Sequence, residues 1–106
     1  MINLDAIKDV ARRIGEAANA DRVILFGSYA RGQATENSDV DFLVVADSDL
    51  PPFKRSRKLY GLFKPYPFAM DIFVYTPQEI EKESKCSLSF ASTVLHEGKI
   101  LYARRN

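Results

Sequence analysis

Three aspartates in otherwise apolar segments are the residues of this sequence best suited to chemistry. Asp39 and Asp41 lie two positions apart in SDVDFLVVA, and Asp71 lies within FAMDIFVY. Because side chains alternate along a strand, Asp39 and Asp41 are expected on the same face of a sheet. Aspartate is disfavoured within strands, and a charge among apolar neighbours is costly unless a partner compensates it. The three carboxylates therefore require a partner.

A divalent cation is the partner that explains all three carboxylates. Neither segment contains a basic residue, and Mg²⁺ prefers carboxylate oxygens while keeping water and phosphate as further ligands. Mn²⁺ also suits oxygen ligands, so the choice between the two stays open. We therefore predict that Asp39, Asp41 and Asp71 form a metal site. The alternatives are a strand-start cap in a polar turn for the first two and an arginine partner for Asp71.

The segment FGSYARG carries the second candidate function, phosphate binding. Gly27 and Ser28 follow an apolar run and precede a short helix, where unpaired backbone N–H groups and the helix dipole attract phosphate. Gly27 permits close backbone approach, and Ser28 adds a hydroxyl donor. Arg31, one turn later, could reach a phosphate oxygen with its guanidinium group. An ordinary tight turn is the alternative interpretation.

Alternating helical and strand patterns predict the elements that must position these residues. Apolar residues three and four apart predict a first helix with Asn3 as N-cap, and Thr76 with Glu79 forms a predicted capping box. The sequence gives an α/β (α+β) class with a small mixed sheet flanked by helices. The predicted segments are helices over 3–19, 29–31, 51–64, from 77 onward and over 87–96, and strands over 22–26, 39–46, 68–75 and 99–103.

Length and composition limit the classes of protein to consider. The 106 residues, 46% of them apolar, suit one domain spanning 1–106, and the net charge of +1 argues against a general nucleic-acid binder. The lone Cys86 and lone His96 exclude an internal disulfide and a His-rich metal site. The basic run 54–58 is interpreted as a solvated helix face. No apolar stretch approaches the ~20 residues that span a bilayer, so a cytoplasmic protein is expected.

Taken together, these motifs resemble a known family. Gly27-Ser28, ten intervening residues and then Asp39-x-Asp41 match the signature of the DNA polymerase β-like nucleotidyltransferases. The chain is most similar to the minimal nucleotidyltransferase (MNT) branch, found beside HEPN-domain partners. The resemblance covers GSYARGQATENSDVDFLVV, the third carboxylate Asp71 and the closing HEGKILYA. It implies the nucleotidyltransferase fold.

The resemblance also implies a role for each matched residue. Gly27-Ser28 would hold the β- and γ-phosphates of ATP, with Arg31 in a supporting role. Asp39 and Asp41 would bind two Mg²⁺ ions, a pair that can stabilise both ends of an in-line displacement. Asp71 would complete the metal site at the acceptor hydroxyl and act as general base. ATP is implied here by the family and not by particular residues.

The function that the resemblance implies is transfer of AMP onto a partner protein. The partner would be a HEPN-type RNase toxin, modified on a tyrosine hydroxyl, with this chain as its antitoxin in a hetero-oligomer. One alternative is a non-catalytic binding module that masks its partner sterically. Another is a nucleotidyltransferase acting on a small hydroxylated molecule, which the lack of room for a second domain disfavours.

Overall fold

The computed structural model describes residues 1–105, in which a four-stranded sheet carries helices on both faces. Asn106, the last residue of the expected 1–106 domain, lies outside the described residues. The elements in chain order are α1 Leu4–Ala18, β1 Arg22–Phe26, α2 Ser28–Arg31, β2 Val40–Val45, a 3₁₀ turn Pro52–Lys54, α3 Arg57–Tyr60, β3 Met70–Tyr75, α4 Pro77–Ser84, α5 Phe90–Glu97 and β4 Lys99–Ala103.

The predicted helix caps are present at α1 and α4. Asn3 accepts a hydrogen bond from the Ala6 backbone N–H at 2.8 Å, and α1 ends at Asn19 in the left-handed conformation. At α4, the Thr76 hydroxyl accepts from the Glu79 N–H while the Glu79 carboxylate accepts from the Thr76 N–H. Each cap satisfies backbone donors that the first helical turn leaves unpaired. The N-termini of α1 and α4 could therefore be predicted from the local sequence.

The strand order brings one end of β1 against the starts of two other strands. The sheet has the order β3-β2-β1-β4, with β1 antiparallel to β2 and β4, and with β2 parallel to β3. This mixed pairing confirms the predicted class. Because β1 runs opposite to β2 and β3, its last residues lie beside their first residues. The segment after β1 and the starts of β2 and β3 thus meet along one side of the sheet, the edge that is formed by these strand ends.

The two faces of the sheet are covered differently. On the first face, α1 and the segment around α3 pack on alternate residues of β2 and β3, a core that includes Val40, Phe42, Val44, Met70 and Ile72. On the second face, α4 and α5 pack on a smaller set that includes Ile24, Phe26, Leu43 and Val45. The second face also carries Asp41 and Asp71, which alternate with first-face residues along their strands.

The predicted helix over 51–64 is wrong. The chain forms a 3₁₀ turn at Pro52–Lys54 and only one α-helical turn at Arg57–Tyr60. Between them, Arg55 donates to the Leu50 carbonyl at 2.9 Å and forms an ion pair with Glu79. The ion pair depends on Glu79 of α4, which is distant in the sequence, so the local helical pattern could not predict it.

The interpretation of the basic run as a solvated face also needs one correction. Lys54, Arg57 and Lys58 are exposed as predicted. The Arg55 side chain is only 8% exposed and also donates to the Val74 carbonyl on the free edge of β3. Together with the Tyr60 hydroxyl, which accepts from the Ile72 N–H at 2.8 Å, Arg55 occupies backbone groups of this edge strand. Such contacts protect an edge from pairing with another strand.

Several further boundaries differ from the predicted ones by one to three residues. β2 excludes Asp39 and Ala46, and β3 begins at Met70 instead of Phe68. The short helix starts at Ser28 rather than Tyr29, and α5 starts at Phe90 rather than 87. For α5 the reason is local, because the Ser89 hydroxyl accepts from the Ser92 N–H at 3.0 Å and caps the helix there.

None of the helices formed by residues 1–105 combines the length and the apolar character needed to cross a bilayer.

Candidate active site

Gly27 lies where β1 ends and α2 begins, directly beside Asp41. Its φ of 74° and ψ of −156° belong to a region that side chains rarely tolerate. A Cβ atom at this position would also overlap the Asp41 carboxylate. Glycine is therefore required both by the backbone conformation and by the close approach. Ser28 follows as the first residue of α2, half-buried at the same edge of the sheet.

Asp41 and Asp71 lie side by side at the centre of this edge. They are register partners in the parallel pairing of β2 and β3, and Asp41 is also opposite Phe26 of β1. Neighbouring strands are ~5 Å apart, so register partners on one face have adjacent side chains. Neither carboxylate forms an ion pair with a described residue. The alternative of an arginine partner for Asp71 therefore has no support among residues 1–105.

The electrostatic state of Asp41 reflects this crowding. Burial is the largest cause that raises the pKa of Asp41, which reaches about 6, and the negative charges of Asp71 and Asp39 raise it further. Hydrogen bonding with Asp71 acts in the same direction, while the positive charge of Arg31 opposes it. The three predicted carboxylates therefore interact with one another, and Asp41 is the member at their centre.

Asp39 lies immediately before β2 and is exposed. It borders a cavity of about 230 Å³ that Tyr29 and Phe68 also line. In the polar turn before it, Ser38 makes the capping contact, since its hydroxyl accepts from the Thr35 N–H at 2.9 Å. Asp39 is thus not needed for that turn, which weakens the interpretation of Asp39 as a strand-start cap.

The donor chemistry of this edge fits a hard divalent cation that is completed by its substrate. Among residues 1–105, no group of three His, Cys, Asp or Glu side chains is placed to hold a metal ion, so Asp39, Asp41 and Asp71 do not form a three-ligand cluster in this structure. Mg²⁺ does not require one, because it usually binds one or two carboxylates and takes the remaining ligands from water and phosphate. The adjacent pair Asp41 and Asp71, with Asp39 nearby, supplies carboxylates whose mutual repulsion a cation would relieve.

Arg31 is close to the carboxylates but is engaged elsewhere. Its guanidinium lies 3.2 Å from the Glu97 carboxylate and donates to the Gln33 side-chain oxygen at 3.2 Å. Both members of the ion pair are partly exposed, and such pairs contribute little to stability. The Arg31 charge still lowers the pKa of Asp41. The structure therefore places Arg31 at the rim of the site, with Glu97 as a competing partner for any phosphate.

An aromatic cluster on the second face was missed at the sequence level. The ring centroids of Phe26, Phe73 and Phe90 lie 5.4 to 5.8 Å apart. Phe26 is opposite Asp41, and Phe73 follows Asp71 by two positions on the same face of β3. Because side chains alternate along a strand, the sequence of β3 alone predicts that Phe73 lies on the same face as Asp71. Phe90 comes from α5, so its position depends on tertiary packing.

Comparison with solved structures shows which fold this arrangement belongs to. A nucleotidyltransferase of Sulfolobus solfataricus, itself named as putative, aligns with 95% of this chain and 80% of its own, with a TM-score of 0.67 at 20% identity. A toxin–antitoxin structure with AMP-PNP aligns with 92% of this chain and 74% of its own, with a TM-score of 0.58 at 20% identity. The chain therefore has the nucleotidyltransferase fold.

Sequence comparison identifies the family. Residues 4–101 match the family model described as the nucleotidyltransferase domain, so this chain belongs to the nucleotidyltransferase domain family. Among its relatives is "Putative protein adenylyltransferase MJ0604" of Methanocaldococcus jannaschii, 42% identical over 82 residues, which are 76% of this chain and 77% of the relative. A second, "Putative protein adenylyltransferase MJ0141" of the same organism, is 44% identical over 54 residues, about half of each chain. The predicted family and the nucleotidyltransferase class of enzyme are confirmed.

Proposed function

We propose that this nucleotidyltransferase transfers AMP from ATP to a hydroxyl group of a partner protein. The observation that carries the proposal is the adjacency of Asp41 and Asp71 in the β2–β3 register, with Gly27 against the Asp41 carboxylate. Both M. jannaschii relatives are named as putative protein adenylyltransferases, and 42% identity over most of the chain supports the same activity here.

The triphosphate would lie at the turn from β1 into α2. Gly27 has no side chain, so backbone N–H groups and the Ser28 hydroxyl can approach the β- and γ-phosphates. Arg31 would assist after leaving Glu97, an exchange made feasible by the partial exposure of that ion pair. With the terminal phosphates at β1, the α-phosphate would face the carboxylates of β2 and β3.

The chemical step is an in-line displacement at the α-phosphorus. The acceptor oxygen forms a bond to the α-phosphorus, the bond from that phosphorus to the bridging oxygen breaks, and pyrophosphate leaves with the electron pair. Asp71 accepts the proton of the acceptor hydroxyl, because it lies on the strand farthest from the phosphate turn. The chain contributes mainly by positioning the reactants and by stabilising charge.

Asp39, Asp41 and Asp71 would hold the divalent metal, Mg²⁺ or Mn²⁺, with two ions as the family implies. When bound, the metal would lower the pKa of the acceptor hydroxyl and stabilise the charge on the leaving pyrophosphate. Burial first, and then the repulsion from Asp71 and Asp39, raise the pKa of Asp41. The repulsion supports this assignment, because a bound cation would relieve it.

The partner that we propose is a HEPN-type RNase toxin, modified on a tyrosine hydroxyl within a hetero-oligomer in the cytoplasm. The toxin–antitoxin structure with AMP-PNP shares this fold, which supports such a pairing. The exposed carboxylate of Asp71 supports it further, since a macromolecular acceptor needs an accessible catalytic edge. This chain would act as the antitoxin by modifying its partner.

Labelling would test the proposal directly. The purified chain is incubated with Mg²⁺, ATP labelled at the α-phosphate and the product of the neighbouring gene. We expect label on a tyrosine of the partner, located by mass spectrometry. The Asp41→Asn variant should lose it, whereas Asp49→Asn, at an exposed loop position away from the site, should keep it.

The other outcomes would contradict either the proposed function or the proposed site. A tight complex without label would favour the module that masks its partner sterically. Label that persists in Asp41→Asn would overturn the assignment of the site. Labelling of a small hydroxylated compound, with none on the protein, would favour the small-molecule enzyme.

A further inference from the structure

Two neighbouring phenyl rings next to the carboxylates are partly exposed. Phe73 and Phe90 are 41% and 42% exposed although their ring centroids lie only 5.5 Å apart. Single exposed apolar residues are common, but adjacent exposed rings at the mouth of a polar site indicate a binding surface. We call the surface formed by Phe73 and Phe90 the phenyl platform.

The phenyl platform is held rigidly from below. Phe26 contacts both rings edge-on or tilted, at 5.8 Å from Phe73 and 5.4 Å from Phe90, and is itself buried. Tyr75 adds a further ring 6.1 Å from Phe90. Aromatic pairs in such tilted arrangements stabilise one another. The exposed ring surfaces are therefore preorganised, which lowers the entropic cost of binding a flat ligand on them.

We propose that the phenyl platform binds the nucleobase of the nucleoside triphosphate by stacking. This inference rests on the proposed function, since it places the base relative to phosphates at Gly27 and Ser28. Planar bases stack on aromatic side chains whatever their identity. The platform therefore supplies affinity for a nucleoside triphosphate over free triphosphate without selecting adenine from guanine.

The distance of the platform from the carboxylates favours a nucleobase over the ring of a tyrosine acceptor. Phe73 follows Asp71 by two positions on the same strand face, which is a separation of about 7 Å. In a nucleotide, the ribose separates the base from the α-phosphorus. With the α-phosphorus at the carboxylates, the base can therefore lie over Phe73, two residues along the strand from Asp71. A phenol oxygen is bonded directly to its ring, so an attacking tyrosine would have its ring over Asp71 itself and not over Phe73.

Calorimetric titration with two probes separates base binding from phosphate binding. The full chain with Mg²⁺ is titrated with ATP and, separately, with inorganic triphosphate, which has no base. For Phe90→Leu and Phe73→Leu, which keep apolar bulk, we expect the Kd for ATP to rise about 5- to 150-fold, the range that corresponds to loss of one stacked base. The Kd for inorganic triphosphate should not change, and GTP should lose as much affinity as ATP.

Two control variants complete the test. Phe90→Tyr should keep ATP binding, because it keeps the ring, and Leu62→Ala should have no effect, because this exposed side chain belongs to the segment that contacts Arg13 of α1 on the first face. Unchanged ATP affinity in both leucine variants would overturn the inference, and so would equal losses for ATP and inorganic triphosphate. If the unsubstituted chain binds neither probe, both this inference and the proposed function fail. If it binds ATP and the leucine variants bind ATP equally well, only this inference fails.

Discussion

The two faces of the sheet use the same strands for different purposes. Along β2, Phe42 points to the first face and is completely buried, while its neighbour Asp41 points to the second and keeps a raised pKa. Along β3, Ile72 is buried on the first face, whereas Asp71 and Phe73 are exposed on the second. The alternation of side chains therefore separates residues that form the core from residues that we propose take part in chemistry.

This difference follows from how many elements cover each face. The first face has one continuous core beneath α1 and the α3 segment. The second has a smaller core beneath α4 and α5, and it leaves the edge at Gly27, Asp41 and Asp71 accessible. Crowded carboxylates are unfavourable for folding, and the first-face core offsets this cost. Substitutions on the two faces should accordingly have different consequences.

The largest expected effect is on stability, from the first face. Phe42→Ala removes a fully buried ring and should lower the free energy of unfolding by ~3–5 kcal/mol. Phe73→Ala, on the second face, should cost a fraction of this, because the ring is already 41% exposed. Chemical denaturation measures both. Equal losses would show that the second face contributes as much to the fold as the first.

The next effect is on catalysis, from the second face. Asp71→Asn changes no packing, because Asp71 is exposed, but it should reduce AMP transfer at least ~100-fold, the scale for loss of one group that stabilises a transition state. Ile72→Val, at the next position, should instead cost ~0.5–1.5 kcal/mol of stability with little change in transfer. A transfer assay and thermal denaturation on both variants check the separation. An active Asp71→Asn enzyme would remove Asp71 from the site.

A third substitution, at Gly27, should affect both stability and ATP binding. Gly27→Ala should lose ~1–3 kcal/mol of stability from backbone strain and should also reduce ATP binding, because its methyl group displaces the Asp41 carboxylate. Gly32→Ala is the matched control, since Gly32 also has a positive φ but its Cβ would meet open space. Calorimetry should show normal ATP affinity for Gly32→Ala. Equal binding losses in both variants would mean that strain alone, and not the close approach to Asp41, explains the requirement.

The raised pKa of Asp41 predicts a pH-dependent cost to the fold. Because the pKa is about 6 in the folded chain and 3.8 in the reference state, folding is favoured by protonation, and stability from this group is lost as pH rises from about 4 to 6. Asp41→Asn removes this dependence. Its Tm relative to the unsubstituted chain should therefore increase across that range and stay constant above it. A flat difference would contradict the raised pKa.

The smallest effect concerns the rim of the site. Glu97→Gln should change stability by less than ~1 kcal/mol, because its ion pair with Arg31 is partly exposed. If Arg31 then turns to phosphate, ATP should bind slightly more tightly to Glu97→Gln and more weakly to Arg31→Ala. Titration of ATP into both variants measures this. Identical affinities would leave Arg31 without a role in nucleotide binding.

Much of the fold was predictable because its signals are local. The periodic apolar stripe of α1, the capping box at Thr76 and the apolar run of β1 each lie within one segment, and the structure confirms them. The segment around Arg55 was predicted incorrectly because its guanidinium is held by the Val74 carbonyl and by Glu79. Contacts across 19 and 24 positions override helical propensity and leave no local pattern.

The amino-acid sequence alone identified the candidate residues for chemistry and predicted which of them share a face, because strand alternation and motif spacing are local properties. It therefore gave Gly27, Ser28, Asp39 and Asp41, and it marked Asp71 by its apolar surroundings. Only the tertiary structure decided that Asp41 is the register partner of Asp71, that Arg31 meets Glu97 and that α5 brings Phe90 to Phe73. Register and helix packing are set by contacts between distant segments, and no local pattern encodes them.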